Sequence, residues 1–168
     1  QGVQLFNYIN NELKSWSGFM RPKRTGLMHE EYTGLWGELY VVNEYYIKHF
    51  GPEDLMRNWT GVERTPQDLF VENFTLEVKA TFSITPKNIH ISSLEQLDSE
   101  AQHQAIAHLV LSKSSDGKSL QDYVDSIEEK LKDYPKQISK FRKTISELIG
   151  NATEEQLKQT NIVNKENC

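Results

Sequence analysis

Leu5, Ile9, Leu13 and Trp16 recur at spacings of four, four and three residues, which predicts an amphipathic helix over 3–16. Gly18, Pro22 and Gly26 then mark residues 16–34 as a loop. Apolar positions resume at helical spacing with Leu35, Leu39, Val42 and Tyr46, so a second helix is expected over 35–50, stopped by Gly51-Pro52. Residues 51–66 are polar, contain Trp59, Gly61 and Pro66, and read as a connection. From Phe74 the period changes: Phe74, Leu76, Val78, Ala80 and Phe82 alternate strictly with Thr75, Glu77, Lys79 and Thr81, the signature of a half-buried strand. Shorter strands are expected at 88–92 and 105–112, with a helix starting near Ser93 between them and a loop at Ser114-Ser115-Asp116-Gly117 after them. Ser119 with Asp122 forms a capping-box pattern ahead of Leu120, Tyr123, Ile127, Leu131 and Tyr134. Pro135 interrupts; Ile138, Phe141, Ile145 and Leu148 continue to Gly150, and Thr153 with Gln156 caps a short polar helix.

Composition adds limits to this pattern. At 168 residues and 37% apolar side chains the chain is expected to form one domain with a real core. No apolar run approaches the length that crosses a bilayer, so no membrane partner is expected. The single cysteine, Cys168, can form neither an internal disulfide nor a cysteine-based metal site, which favours a reducing, cytoplasmic setting. The net charge of −5 disfavours a generic basic coat for nucleic acid, but charge is unevenly placed. Lys14, Arg21, Lys23 and Arg24 form a basic arm without an acid between 14 and 24, whereas residues 29–77 hold ten acids against three basic groups. A basic arm beside an acidic, cation-binding centre is one reading of that contrast; solvated faces are the other.

The residues between 65 and 79 sharpen the first reading. Side chains alternate across a strand, so Glu77 and Lys79 share one face while Val78 points to the other. If 68–71 pairs with 74–77 around a turn at Glu72-Asn73, facing residue numbers sum to 145, and Asp68 lies opposite Glu77. Two opposed carboxylates repel unless a cation sits between them. On the preceding helix, with Leu35 at zero and 100° per residue, Glu38 falls at about 300°, inside the apolar arc, while Glu44 at about 180° faces water. A carboxylate turned towards a core needs a partner or a metal. Gly34 and Gly37 flank Glu38 and thin the helix where another backbone could approach. The five histidines show no metal-ligand spacing, and no phosphate-binding glycine loop or nucleophile elbow is present.

The order helix Glu, Asp, then Glu-x-Lys resembles the PD-(D/E)XK nuclease superfamily, with Pro66-Gln67-Asp68 in place of an adjacent Pro-Asp. The fuller pattern of Gly34-Leu35-Trp36-Gly37-Glu38-Leu39, Leu76-Glu77-Val78-Lys79-Ala80-Thr81 and Ile91-Ser92-Ser93-Leu94-Glu95-Gln96-Leu97-Asp98 is similar to a bacterial group of such proteins found among restriction and phage-defence genes. The resemblance implies an α/β, restriction-endonuclease-like fold: a central mixed sheet flanked by helices, with the nuclease-like core at 1–112 and a helical extension at 113–168. It implies Mg²⁺-dependent hydrolysis of DNA, Mn²⁺ being able to substitute, with Asp68, Glu77, the Val78 carbonyl and Glu38 around the metal and Lys79 on the attacking water. Gln96, Lys14, Arg21, Lys23 and Arg24 would then contact the DNA backbone, and a homodimer or larger defence complex is the expected assembly. The alternative is a catalytically silent DNA-binding or assembly subunit that keeps the fold.

Overall fold

A computed structural model describes residue 27 and residues 29–61, 67–82, 103–150, 152–158 and 161–164. The helix expected over 3–16, the strand at 88–92 and the helix near Ser93 lie outside these residues.

Helix α1, His29–Val41, runs on through a π-helical turn, Val42–Tyr46, into the short α2, Ile47–Phe50. It therefore begins six residues before the expected start at 35. Gly34 suggests a break, but its neighbours carry the helix, and Glu30 and Glu31 in the first turn complement the positive end of the dipole. The end is as expected: Gly51, at φ 79°, a backbone conformation that side chains rarely adopt, donates its N–H to the Ile47 carbonyl, and the short α3, Leu55–Asn58, follows. Buried positions surround α1 nearly completely: Tyr32, Thr33, Leu35, Trp36, Leu39, Tyr40 and Val41 all lie inside. Such a helix sits between two layers rather than over one.

One layer is the sheet. β1 (Leu69–Val71) pairs antiparallel with β2 (Phe74–Thr81), β2 pairs parallel with β3 (His103–Lys118), and β3 pairs antiparallel with β4 (Ile162–Asn164). This gives a mixed four-stranded sheet in the order β1-β2-β3-β4 among the described residues. α1 meets it at Gly37, where an added Cβ would stand 2.8 Å from the Ala80 Cβ and 3.4 Å from both Val78 and Leu109 side chains. Gly37 thus sets the helix-to-sheet spacing, whereas a Cβ on Gly34 would meet nothing within 4 Å.

The other layer follows β3. Ser119 and Asp122 form the expected capping box at the start of α4 (Leu120–Leu131), Pro135 opens α5 (Pro135–Ile149), and Thr153 and Gln156 exchange hydrogen bonds at the start of α6 (Glu154–Lys158). Tyr32 ties α1 to this layer, since its hydroxyl donates to the Leu157 carbonyl and accepts from the Leu120 N–H, both at 3.1 Å. Trp36 donates to the Lys118 carbonyl and sets its ring edge against Tyr123.

Three further expectations change. β3 runs from His103 to Lys118, beyond both ends of the expected 105–112, because Lys113 and Lys118 both pair with Ile162 while the expected loop bulges out between them. The segment after 112 is not purely helical, since it supplies β4. Glu44 does not simply face water: the π turn shifts the angular phase of the helix, and Glu44 is half-buried in an ion pair with Lys118 at 3.0 Å and a hydrogen bond from Asn43. These two donors hold its carboxyl below the usual range against the opposing effect of burial.

Candidate active site

The β1–β2 hairpin has the register set by facing numbers that sum to 145: Leu69 faces Leu76, Phe70 faces Thr75 and Val71 faces Phe74. The turn at Glu72-Asn73 requires Glu72 at φ 53°. Phe74, beside the turn, is 38% exposed rather than part of the apolar layer. Asp68 stands just before β1, its own N–H donating to the Leu76 carbonyl at 3.1 Å. Its carboxylate turns into the hydrogen-bonding plane of the sheet, where Oδ2 accepts from the Val78 N–H at 2.7 Å. Thus a side chain, not a backbone carbonyl, continues the ladder past the end of β1. N–H and C=O of one strand residue point the same way, so the Val78 carbonyl also emerges on this side, next to Asp68 and away from β3. Thr60 fastens the Asp68 backbone, its N–H and hydroxyl both reaching the Asp68 carbonyl.

On β2, Lys79 Nζ meets Glu77 Oε1 at 2.7 Å. The Glu77 side chain is 7% and that of Lys79 23% exposed, so this is an enclosed pair rather than a solvated one. Glu38 comes from α1, half-buried, and its Oε2 accepts from the Trp59 indole N–H at 2.9 Å. Trp59 is held in turn by a bridge to Leu69 and by packing of its ring on Phe141 of α5.

The acids act on one another. Burial lifts the Glu38 carboxyl to about 8, Asp68 and Glu77 add to the rise, and the Trp59 N–H opposes it. Burial likewise lifts Asp68 to about 6; repulsion from Glu77 adds to this, while the Val78 N–H and Lys79 pull the other way. Three carboxyls thus act on one another in a poorly hydrated space, with Lys79 paired to Glu77 and within electrostatic reach of Asp68. Among the described residues, no three His, Cys, Asp or Glu side chains are drawn into a ready-made metal cluster. The donors nonetheless suit a hard divalent cation in kind and charge: carboxylate oxygens, a strand carbonyl aimed at the same space, and acids whose ionisation such a cation would favour.

The structure therefore brings Glu38, Asp68, Glu77 and Lys79 into one electrostatic group with the Val78 carbonyl at its edge. Gln96, Lys14, Arg21, Lys23 and Arg24 lie outside the described residues. Trp59 is a member that sequence reading missed, although a tryptophan in an otherwise polar connection was a usable signal.

Compared with known proteins, residues 2–165 match the family described as "Putative PD-(D/E)XK family member, (DUF4420)". No curated protein and no solved structure matches the chain.

Proposed function

The chain belongs to this PD-(D/E)XK family, and from that premise we propose that it is a Mg²⁺-dependent DNA endonuclease, working in the cytoplasm in a restriction or phage-defence system. The observation that carries the proposal is the grouping of Glu38, Asp68 and Glu77 beside the start of β1, with Lys79 paired to Glu77 and within electrostatic reach of Asp68. Asp68 and Glu77, with the Val78 carbonyl, would hold the metal, and Glu38 would hold a metal-bound water or a second ion. Bound there, Mg²⁺ supplies polarisation of the scissile phosphate and offsets charge at the leaving oxygen. Lys79 orients the attacking water through its ammonium donors and stabilises charge on the phosphoryl oxygens. Asp68 is held in place by the Val78 N–H and by the fastening of its backbone through Thr60, so the group is positioned by the sheet rather than by a loose loop. The likeness of the Glu-Val-Lys-Ala-Thr and Ser-Ser-Leu-Glu-Gln-Leu segments to proteins of defence loci supports the biological setting, and assembly as a homodimer or within a larger complex is part of the same proposal.

The test is cleavage of supercoiled plasmid DNA with Mg²⁺, Mn²⁺ or EDTA. Wild type should nick or linearise the plasmid only with a divalent cation, and Glu77→Gln and Asp68→Asn should not. A wild type that binds DNA without cutting it under any of these conditions would replace this reading with that of a silent DNA-binding subunit.

A further inference from the structure

The parallel β2–β3 pair fixes which β3 residues stand beside the site. Glu77 is registered with Ile106 and Lys79 with His108. Registered neighbours in adjacent strands share a sheet face, so His108 lies next to Lys79 on the face that carries Glu77 and Lys79. The opposite face is settled independently by the contacts of Gly37 with Val78, Ala80 and Leu109, Leu109 being the register partner of Ala80. His108 is half-buried, close enough to the interior to be held and open enough to be reached. Ile106 beside it is 37% exposed and provides an apolar strip along the face. Lys79 is already engaged by Glu77, so a phosphate arriving at this face needs a further donor. An imidazole offers an N–H in either tautomer and in either charge state.

Resting on the nuclease reading above, we propose that His108 is a substrate contact of this site, donating a hydrogen bond from β3 to a phosphate of the DNA strand that lies along Lys79. Its role is to hold the substrate, not to assist the bond-breaking step. The residue comes from beyond the Glu-x-Lys motif and reaches the site only through the sheet register.

Cleavage of a fluorescent linear duplex in Mg²⁺ and its binding in Ca²⁺, followed by anisotropy, test this for wild type, His108→Ala and His108→Gln. His108→Ala should raise KM and weaken binding about tenfold, with kcat within about twofold, whereas His108→Gln, which keeps an N–H donor, should recover most of the loss. Both variants should retain the wild-type urea midpoint and the wild-type rise in melting temperature with Mn²⁺. Unchanged KM and binding in His108→Ala, while wild type cuts and binds, would overturn this inference and leave the nuclease reading standing. A fall in kcat at constant KM would overturn it too, by making His108 a positioning residue for Lys79. A wild type that neither binds nor cuts the duplex would overturn both.

Discussion

Raising the pH of the metal-free protein should weaken it. Burial, reinforced by mutual repulsion, lifts Asp68 from its ordinary 3.8 to about 6 and Glu38 from 4.5 to about 8. A carboxyl with a raised folded pKa holds its proton more tightly in the fold. Its contribution to stability is complete below the unfolded pKa and disappears as pH climbs through the folded one. The window here runs from about pH 4 to about pH 8. Between about pH 5 and about pH 8, linkage removes about 1.4 kcal/mol through Asp68 and about 3.5 kcal/mol through Glu38. Part of this is one repulsion felt by both groups, so the expected loss is ~2–5 kcal/mol, or roughly 5–15 °C in Tm. Glu44 and Asp122, both held below the usual range, act in the opposite sense, since their stabilisation is lost as pH falls, and so they bear on the acid end of the window. The assay is urea unfolding in EDTA across the window, repeated with Mg²⁺ and Mn²⁺. A cation at a hundredfold excess over its dissociation constant should return about 2.7 kcal/mol, most clearly at the alkaline end, where the acids are ionised. Glu38→Gln should flatten most of the pH slope, since it removes the larger titration while its amide oxygen can still accept from Trp59. Stability that holds or rises with pH in EDTA, with no gain from either metal at about pH 8, would refute the coupled-carboxylate account.

Lys79→Ala leaves the enclosed Glu77 carboxylate without its cation and should cost about 1–3 kcal/mol by urea unfolding, besides abolishing plasmid cleavage at temperatures where the variant remains folded. Trp59→Phe keeps a ring against Phe141 but removes the N–H donated to Glu38; it should lower stability by about 1 kcal/mol at neutral pH and move the Glu38 titration, followed by NMR of the carboxyl carbon, further upward. Glu72→Gly relieves a non-glycine residue at φ 53° in the β1–β2 turn and should raise stability by about 0.5–1 kcal/mol in a thermal melt, leaving metal dependence untouched.

Much of the framework was legible because it is local. The strict alternation from Phe74 to Phe82 is a backbone periodicity that needs no knowledge of the rest of the chain, and it gave β2 and the shared face of Glu77 and Lys79. Capping boxes at Ser119 and Thr153 are equally local, since each satisfies backbone donors within one turn. Expectations changed where distant contacts decide the outcome. Gly34 stays helical because α1 is enclosed by the sheet and by α4, and packing outweighs a glycine's weak helix propensity. Glu44 found Lys118 across the fold after the π turn had altered the helical phase. β4 is too short to show a period at all, and only its partner β3 makes it a strand.

Asp68 shows how far such reading reaches within the site itself. A register sum can place a residue opposite another, but it describes only residues inside the ladder, and Asp68 lies one position outside β1. There the backbone that would have bonded Val78 is absent from the ladder, and the unsatisfied Val78 N–H recruits the nearest acceptor, the Asp68 carboxylate. That bond turns the side chain from the face where Glu77 points into the plane of the sheet, bringing it beside the Val78 carbonyl and within electrostatic reach of Glu38. The early end of β1 therefore does two things. Among the described residues it leaves the Val78 carbonyl beyond the β1 ladder on that side, and it draws a carboxylate to the same gap. A longer β1 would fill the gap with backbone, and Asp68 would return to being one more acidic residue on a sheet face.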